Sequence, residues 1–392
     1  MVEIRDPIHG YIRVEGIFQS LLDTPELQRL RRIRQLGFSY LVYPGANHTR
    51  FEHSLGVFHL STYFRELLGD SFELFQIASL LHDVGHGPLS HVSEEILRRY
   101  IRTEHEDLRW LKSTECGEII EKNGYSIREI SEVVSGRRYP GELLSGVIDI
   151  DRMDYLLRDS HYTGVAYGIF DHLRLIREME FIGERLVLLE GGIQAAESLL
   201  ISRFLMYPTV YNHHVSRIAE SMFSRAIEYM FREGELKIEE FRMMDDYEIA
   251  MRLLNTEGFP SEIMRMINER RLLKRALYTN ISSISVDISK MNLRRLEKKI
   301  ADEAGVDPAY IIVDVPSEEA QEFSIPVKTG GRIVNLEELS PLVRMLKDAH
   351  RATRKIGVYA PKDVREEVER IAREILGVEK PKIQRSLEEM WN

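Results

Sequence analysis

The amino-acid sequence predicts a mostly α-helical protein with a small α+β lobe at its C-terminal end. Over residues 24–303, apolar residues recur at intervals of three and four, as on the buried face of a helix. From residue 308 onward, short β-rich runs alternate with helical segments. We therefore divide the chain into a helical body, residues 1–307, and an α+β lobe, residues 308–392.

Composition narrows the class of protein. The chain has 392 residues, of which 43% are hydrophobic and 30% charged, as in a globular protein. No apolar run approaches the roughly 20 residues of a membrane span, so we expect no membrane association. One cysteine, Cys116, excludes an internal disulfide framework and fits a cytoplasmic location. The net charge of -10 leaves nucleic-acid binding possible through a local basic patch but does not favour it.

The N-terminal elements follow from local signals. Residues 1–20 read as a short strand or hairpin with a turn at Gly10. Thr24 followed by Pro25 is typical of a helix start. Further helices are predicted over Ser54–Leu68 and Phe72–His82, and over 93–101, 105–123, 141–158, 193–231, 247–255, 261–277 and 290–303.

The C-terminal lobe has its own signals. Strands are predicted over 310–315 and 356–359 because both runs are rich in β-branched residues. Ser340 and Pro341 open a helix between them, and Pro361 opens a last helix that Gly377 closes.

The feature with the most chemistry is the doublet His82-Asp83 in the run LLHDVGHGPLSH. His53 precedes it in RFEHSLG, and Asp151 follows it in DIDRMDYLLRD. Two imidazoles and two carboxylates suit a catalytic divalent metal ion, and Fe, Mn, Zn, Ni or Mg would each be compatible. Taken alone, the doublet could equally be a helix end with a hydrogen-bonded histidine. His86, which follows closely, favours the metal site.

The three motifs together, in this order, resemble those of the HD-domain phosphohydrolases. The likeness is greatest to the deoxynucleoside triphosphate triphosphohydrolase branch, which includes the dGTPases and the sterile-alpha-motif/HD enzymes. The resemblance spans residues 3–215 at the motif level. It implies an HD-domain helical fold with core metal motifs within residues 48–165.

The resemblance also implies roles for individual residues. The metal ligands would be His53, His82, Asp83 and Asp151. The catalytic group would be His86, His91, Glu94 and His105. The substrate-binding residues would be Gln35, Leu36, Arg50, Arg152, Tyr155, Asp159, Arg203 and Tyr211. The family usually has aspartate in place of Glu94, and lysine is common in place of Arg152.

A regulatory site is implied by resemblance as well. Asp23, Gln28 and Arg31 match residues of a guanine-nucleotide activator site at a subunit interface, so a homo-oligomer, dimer or tetramer, is implied. The alternative is that the basic run around Arg31 is an ordinary solvated helix face. Leu189 and Gly191 stand where a sterile-alpha-motif/HD enzyme of this branch has a basic pair for the activator phosphates.

These observations lead to one functional hypothesis and two rivals. The hypothesis is a metal-dependent hydrolase that cleaves a dNTP to a deoxynucleoside and inorganic triphosphate. One rival is another HD phosphohydrolase, a nucleotidase or phosphodiesterase, because the metal ligands would be shared. The other is a nucleotide sensor without turnover. Asp159 has its own alternative, a surface ion pair with Arg158.

Overall fold

The computed structural model describes residues 1–101, 104–315, 323–352 and 354–378. Residue contacts divide the chain into two compact units. The first unit consists of Met1–Arg271 and the described residues of Ala320–Ala349. The second unit consists of the described residues of Leu272–Glu319 and of those from His350 onward. This division differs from the boundary between 307 and 308 that the sequence suggested.

Helices dominate the described residues, which confirms the predicted fold class. Those of the first unit are α1 (Ile17–Leu22), α2 (Pro25–Arg29), α3 (Arg50–Ser61), α4 (Arg65–Leu68), α5 (Phe72–Leu81), α6 (His91–Tyr100), α7 (Glu115–Lys122), α8 (Ile127–Val134), α9 (Ile150–Thr163), α10 (His172–Arg177), α11 (Ile193–Met206), α12 (His214–Glu233), α13 (Ile238–Met243), α14 (Asp246–Asn255) and α15 (Phe259–Asn268). The remaining ones are α16 (Leu293–Ala304), α17 (Leu336–Leu339), α18 (Pro341–Ala352) and α19 (Arg365–Leu376).

Strands form three small sheets. They are β1 (Val2–Asp6), β2 (Gly10–Val14), β3 (Met179–Ile182), β4 (Arg185–Leu189), β5 (Lys274–Asn280), β6 (Ile312–Asp314), β7 (Pro326–Thr329), β8 (Arg332–Asn335) and β9 (Lys355–Ala360). β1 and β2 make the N-terminal hairpin that the sequence predicted, with Val2 opposite Val14. The sheet β3-β4-β7-β8 lies in the first unit, where β4 and β7 are parallel.

The second unit is an antiparallel sheet, in the order β5-β9-β6, covered by α16 and α19. β5 explains the shifted boundary. A helix was predicted over 261–277, but α15 ends at Asn268 and the chain continues as a strand from Lys274. Because β5 pairs along its length with β9, β5 belongs to the second unit.

Several other predicted boundaries were wrong for local reasons. The helix predicted over 193–231 is interrupted by a π-helical turn, Tyr207–Tyr211, that contains Pro208. The helix predicted over 141–158 begins only at Ile150, since the carboxylate of Asp149 caps it. Residues 105–123 contain a 3₁₀ turn over Leu108–Ser113 before α7.

The main core positions the site. α3 packs against both α5 and α9, and the side chains of Leu80, Leu81, Met153 and Leu156 between them are fully buried. A capping box of Thr49 and Glu52 fixes the start of α3. Among the described residues, none of the helices combines the length and the apolar character that crossing a membrane would require.

Candidate metal centre and substrate pocket

The three motifs identified in the sequence meet because their helices pack together. His53 lies in the first turns of α3, His82 and Asp83 directly follow α5, and Asp151 lies in the first turn of α9. The side chains of His53, His82 and Asp83 are at most 6% exposed, whereas that of Asp151 is 33% exposed. The cluster is therefore buried in the core but open to solvent beside Asp151.

The ligand atoms of these four residues converge. His53 Nε2 lies 2.8 Å from Asp151 Oδ1, 3.3 Å from His82 Nε2 and 3.7 Å from Asp83 Oδ2. His82 Nε2 lies 3.4 Å from Asp83 Oδ1 and 3.8 Å from Asp151 Oδ1. Donor atoms about 2.1 Å from one metal ion would be about 3.0–3.4 Å apart in tetrahedral or octahedral geometry. These spacings are compatible with one ion.

The hydrogen bonds of the two histidines select the nitrogen that faces this point. Nδ1 of His53 lies 2.7 Å from Asp154 Oδ2, and Nδ1 of His82 lies 2.9 Å from the carbonyl oxygen of Ser79. Because both partners are acceptors, each Nδ1 carries the proton and each Nε2 presents a lone pair. Two lone pairs facing each other beside two carboxylates fit a divalent cation.

The electrostatics of His53 favour a positive charge at this point, which either a second proton on Nε2 or a metal ion would supply. Burial opposes protonation of His53, but its hydrogen bonds to Asp151 and Asp154 raise its pKa to about 10. The surrounding carboxylates thus favour positive charge at this point strongly enough to overcome desolvation.

Asp83 connects the ligand cluster to the proposed catalytic group. Its Oδ2 accepts a 2.8 Å hydrogen bond from Nη1 of Arg50, and its Oδ1 lies 3.1 Å from His86 Nε2. Arg50 also reaches Ser90 Oγ at 2.9 Å and His91 Nε2 at 3.1 Å. Asp83, His86 and His105 form a second set that could hold an ion.

Glu94 gathers the three remaining histidines of the proposed catalytic group. Its Oε1 lies 2.8 Å from His86 Nδ1 and 2.7 Å from His105 Nδ1, and its Oε2 lies 3.1 Å from His91 Nδ1. Burial lowers the pKa of His86. Burial also opposes protonation of His105, but the charge of Glu94 raises its pKa to about 9. The longer side chain of Glu94 thus still reaches all three rings.

The turn between α5 and α6 is strained. Leu89 and Ser90 have φ of 58° and 54°. Residues other than glycine rarely adopt a positive φ, and backbone strain of this kind is common at functional sites. Gly85 lets the backbone of His105 come close to this turn, because a Cβ on Gly85 would lie 2.0 Å from the carbonyl oxygen of His105. Its φ is not unusual.

Two buried charged groups hold this turn in place. The guanidinium of Arg29 donates to the carbonyl oxygens of Val84 at 2.9 Å and His86 at 2.7 Å. Asp246 accepts the backbone N–H of Leu89 at 2.7 Å. Arg29 is only 7% exposed, so the basic run that contains it is not simply a solvated helix face.

Beside the metal cluster, Asp159 is buried and does not pair with Arg158. Its Oδ1 lies 2.7 Å from His48 Nε2, and its Oδ2 accepts a 2.9 Å hydrogen bond from the hydroxyl of Tyr211. The ring of Tyr155 meets that of Tyr211 edge to face, with centroids 6.1 Å apart. Asp159, Tyr155 and Tyr211 are therefore brought together, as the family resemblance implied.

Two polar groups near this cluster lack a protein partner. Gln35 is 5% exposed and its Oε1 has no hydrogen-bond partner within the described residues. The neighbouring Leu36 is half-buried. Nδ1 of His48 is equally unpartnered there, while its ring stacks on Tyr162 at 4.6 Å. A ligand with hydroxyl groups could satisfy such atoms.

Arg203 and Arg152 differ in the hydrogen bonds that their guanidinium groups make within the protein. Arg203 is 5% exposed, yet its Nε and Nη1 have no partner among the described residues, and its Nη2 reaches only Tyr207 Oη at 3.5 Å. Arg152, by contrast, donates to Asp149 and to the carbonyl oxygen of Gly146 at the start of its own helix. Arg203 is thus free to bind an anion, whereas Arg152 would first have to leave its helix cap.

The residues that the resemblance implies for an activator site make contacts of their own, separate from those of the metal cluster and the substrate pocket. Asp23 is exposed. Gln28 donates to the carbonyl oxygen of Leu22 at 2.8 Å, and Arg31 donates to Gln28 Oε1 at 2.9 Å. The guanidinium of Arg31 lies over the ring of Phe51 at 3.6 Å.

Sequence reasoning missed several residues that the structure places at the site. Asp154 follows Asp151 by three residues, a spacing that puts both on one helix face, so it could have been found. His48 and His9 carry no such local signal, because only the packing of distant segments brings them to Asp159 and Asp154. Tyr207 follows Arg203 by four residues, so helical spacing could have found it.

Comparison with known families gives two matches along the chain. Residues 50–159 match the model of the HD domain, and residues 170–387 match that of the HD associated region. The first match contains all four converging residues, and its limits coincide with Arg50 and Asp159.

Individual relatives agree with these matches. An uncharacterised protein of Methanocaldococcus jannaschii is 35% identical over 93% of this chain and 80% of its own. The human deoxynucleoside triphosphate triphosphohydrolase SAMHD1 is 30% identical over 72% of this chain and 54% of its own. The crystal structure of a hypothetical protein from Aquifex aeolicus is similar with a TM-score of 0.79, at 32% identity, over 95% of this chain and 99% of that one.

Proposed function

Because this chain belongs to the HD-domain family of phosphohydrolases, we propose that it is a metal-dependent dNTP triphosphohydrolase. The products would be a deoxynucleoside and inorganic triphosphate. The observation that carries the proposal is the convergence of His53, His82, Asp83 and Asp151, together with a buried arginine, Arg203, whose Nε and Nη1 have no partner among the described residues. The similarity to SAMHD1 supports the choice of substrate.

The cofactor would be a divalent ion held by His53, His82, Asp83 and Asp151. When bound there, it would supply a Lewis acid for a phosphoryl oxygen and lower the pKa of a water molecule. Nδ1 of each of the two histidines lies within hydrogen-bond distance of an acceptor, which would orient Nε2 toward the ion.

The triphosphate would be bound by arginines. A guanidinium makes forked hydrogen bonds to phosphate oxygens, and Arg203 has two N–H groups without a protein partner. Arg50 would orient the same group, since it already connects Asp83 to His91. Burial strengthens both interactions because little water competes for the charges.

Proton movement would fall to the histidines around Glu94. Nδ1 of both His86 and His105 lies within 2.8 Å of this carboxylate, and Nε2 of His86 lies 3.1 Å from Asp83 Oδ1, beside the proposed metal ligands. The charge of Glu94 holds His105 protonated near neutral pH. His105 is therefore suited to donate a proton to a leaving oxygen, and His86, whose pKa is lowered, to accept one.

The sugar would lie against Tyr155, Asp159 and Tyr211. Asp159 and the Oε1 of Gln35 can accept hydrogen bonds from a sugar hydroxyl, and the tyrosine rings would crowd a 2′-hydroxyl. A guanine-nucleotide activator bound by Asp23, Gln28 and Arg31 in a homo-oligomer belongs to the same proposal and is separately testable.

A product assay tests the proposal. Purified protein is incubated with each dNTP and rNTP, singly and mixed, with Mg²⁺, Mn²⁺ or Co²⁺, and the products are separated by anion exchange. We expect deoxynucleoside and inorganic triphosphate in equal amounts, and none from Asp83→Ala. Turnover only in mixtures that contain a guanine nucleotide would support the activator site. Orthophosphate, pyrophosphate or a monophosphate would indicate another HD phosphohydrolase, and dNTP binding without products would indicate a sensor.

A further inference from the structure

The loop of the N-terminal hairpin reaches the metal centre through one carboxylate. His9 lies between β1 and β2, and its Nε2 is 2.6 Å from Asp154 Oδ1. The other oxygen of Asp154, Oδ2, is 2.7 Å from Nδ1 of His53. A continuous path of two short hydrogen bonds therefore joins the hairpin to a candidate metal ligand.

Arg158 fixes the position of this carboxylate. Its Nε donates to Asp154 Oδ2 at 2.8 Å, and its Nη2 donates to Oδ1 at 3.0 Å. Its Nη1 donates to Asp6 Oδ2 at 2.8 Å. Since the side chains of Arg158 and Asp154 are fully buried, neither can exchange these bonds for water.

Asp6 shapes the loop that presents His9. Its Oδ1 accepts the backbone N–H groups of Ile8 and His9, both at 2.9 Å. The same carboxylate thus folds the turn with one oxygen and anchors it to Arg158 with the other. The orientation of His9 relative to Asp154 follows from these contacts.

Helix α3 is adapted to this cluster. Gly56 lies one turn after His53, and a Cβ at this position would be 1.8 Å from Asp154 Oδ1 and 2.5 Å from Arg158 Nη2. Only glycine lets the helix that carries His53 approach the carboxylate so closely. The arrangement therefore depends on His9 in the β1–β2 loop, Gly56 on α3 and Asp154 on α9.

Stability alone does not explain such a cluster. A buried ion pair is often no more stabilising than apolar residues of the same size, because both charges lose their hydration. The pair Asp154–Arg158 would be complete without an imidazole. Two imidazoles that approach opposite oxygens of one carboxylate instead suit a group whose position must be fixed from both sides.

We propose that His9 is a positioning residue of the metal centre, acting on His53 through Asp154, and that the β1–β2 hairpin thereby sets the affinity for the metal. The inference rests on the proposed function, since it takes His53 as a ligand. His9 holds Asp154 in the orientation that keeps the proton on Nδ1 of His53 and the lone pair on Nε2.

The test compares substitutions of His9 in the full chain. His9→Leu removes the hydrogen bond, and His9→Gln keeps an N–H that can reach Asp154. The matched control is His59→Leu, because His59 packs on His9 at 5.2 Å between ring centroids but has no hydrogen bond to Asp154. Co²⁺ affinity is measured by chelator competition, and the visible spectrum of bound Co²⁺ reports its ligand geometry.

We expect His9→Leu to weaken Co²⁺ binding by about tenfold, as the loss of an outer-shell partner does, and to change the visible spectrum. His9→Gln should recover most of the affinity, and His59→Leu should match the wild type. If circular dichroism shows the leucine variant unfolded, His9→Ala serves in its place.

The outcomes separate this inference from the function on which it rests. Wild-type affinity and spectrum in folded His9→Leu would overturn the positioning role and leave the metal centre intact. Equal loss in His9→Leu and His59→Leu would also overturn it, since general loosening would then be the cause. A wild-type protein that binds no Co²⁺, Mn²⁺ or Fe²⁺ would overturn the metal centre itself.

Discussion

The rings of His86 and His105 stack in parallel, with centroids 4.1 Å apart and planes inclined by 15°. Nδ1 of both rings lies within 2.8 Å of the same oxygen of Glu94, so one carboxylate lies against two imidazoles that come from different segments. The stacking is possible because Gly85 lets the backbone of His105 approach the turn after α5. The stacked arrangement of the two imidazoles thus depends on Glu94 and on Gly85.

The first prediction concerns Glu94→Gln. The charge of Glu94 raises the pKa of His105 to about 9 against the opposing effect of burial, so removing that charge should lower the pKa of His105. A pKa raised by folding contributes stability that is complete below about pH 6.5 and lost as pH rises to about 9. The free energy of unfolding, measured in urea at several pH values, should fall less over this range in the variant.

Turnover of Glu94→Gln should fall by about a hundredfold, the contribution of a general acid. Metal content should be unchanged, since Glu94 contacts none of the four ligands. A variant with the wild-type pH dependence would contradict the assigned ion pair.

The second prediction concerns the metal. Asp83→Ala should lose most of the bound ion and all measurable turnover, because it removes a charged ligand from a buried site. Metal content is measured by mass spectrometry of the dialysed protein. The control is His161→Ala, which changes an exposed histidine on α9 outside the cluster. Full activity of metal-depleted Asp83→Ala would rule out a metal mechanism.

The third prediction separates binding from stability at Arg203. Its guanidinium is buried with two unpartnered N–H groups, so Arg203→Gln should leave the free energy of unfolding unchanged or raise it. The KM for a dNTP should rise by at least about tenfold, the effect of about 1.4 kcal/mol of lost phosphate binding. A clear loss of stability at unchanged KM would show that Arg203 is a structural residue.

The fourth prediction concerns sugar recognition by Tyr211. Tyr211→Phe removes the 2.9 Å hydrogen bond to Asp159 but keeps the ring, so the KM should rise by about tenfold while the preference for dNTP over rNTP persists. Tyr211→Ala should lose that preference as well. Tyr43→Phe is the matched control, because it loses a 2.6 Å hydrogen bond to the carbonyl oxygen of Thr209, in the same turn as Tyr211, and leaves the bond between Tyr211 and Asp159 in place.

The fifth prediction concerns the buried anchor Arg29. Arg29→Met leaves the carbonyl oxygens of Val84, His86 and Met244 without their donor, which should cost about 3 kcal/mol of unfolding free energy. Arg13→Met, which breaks an exposed pair with Glu3, should cost less than about 1 kcal/mol. Similar losses in urea unfolding for the two variants would contradict the anchoring role.

The hairpin at residues 1–20 and the last helix closed by Gly377 were predictable because their signals are local. A turn glycine, a proline at a helix start and an apolar periodicity act over a few residues. β3 and β4 escaped prediction, although they form a tight hairpin, because their sheet is completed by β7, which lies far along the chain. The helix predicted through residue 277 was wrong for a similar reason, since pairing with β9 overrode the local pattern.

The sequence by itself determined the fold class, the family resemblance and the identity of the residues that converge on one point, because ligand chemistry is carried by residue type and spacing. Only the tertiary structure decided that His9 and His53 share one carboxylate, that Arg29 is buried beneath the turn between α5 and α6, and that Nε and Nη1 of Arg203 have no partner among the described residues. Those relations depend on which distant segments pack together, and packing is settled by the whole core and not by any local run of residues.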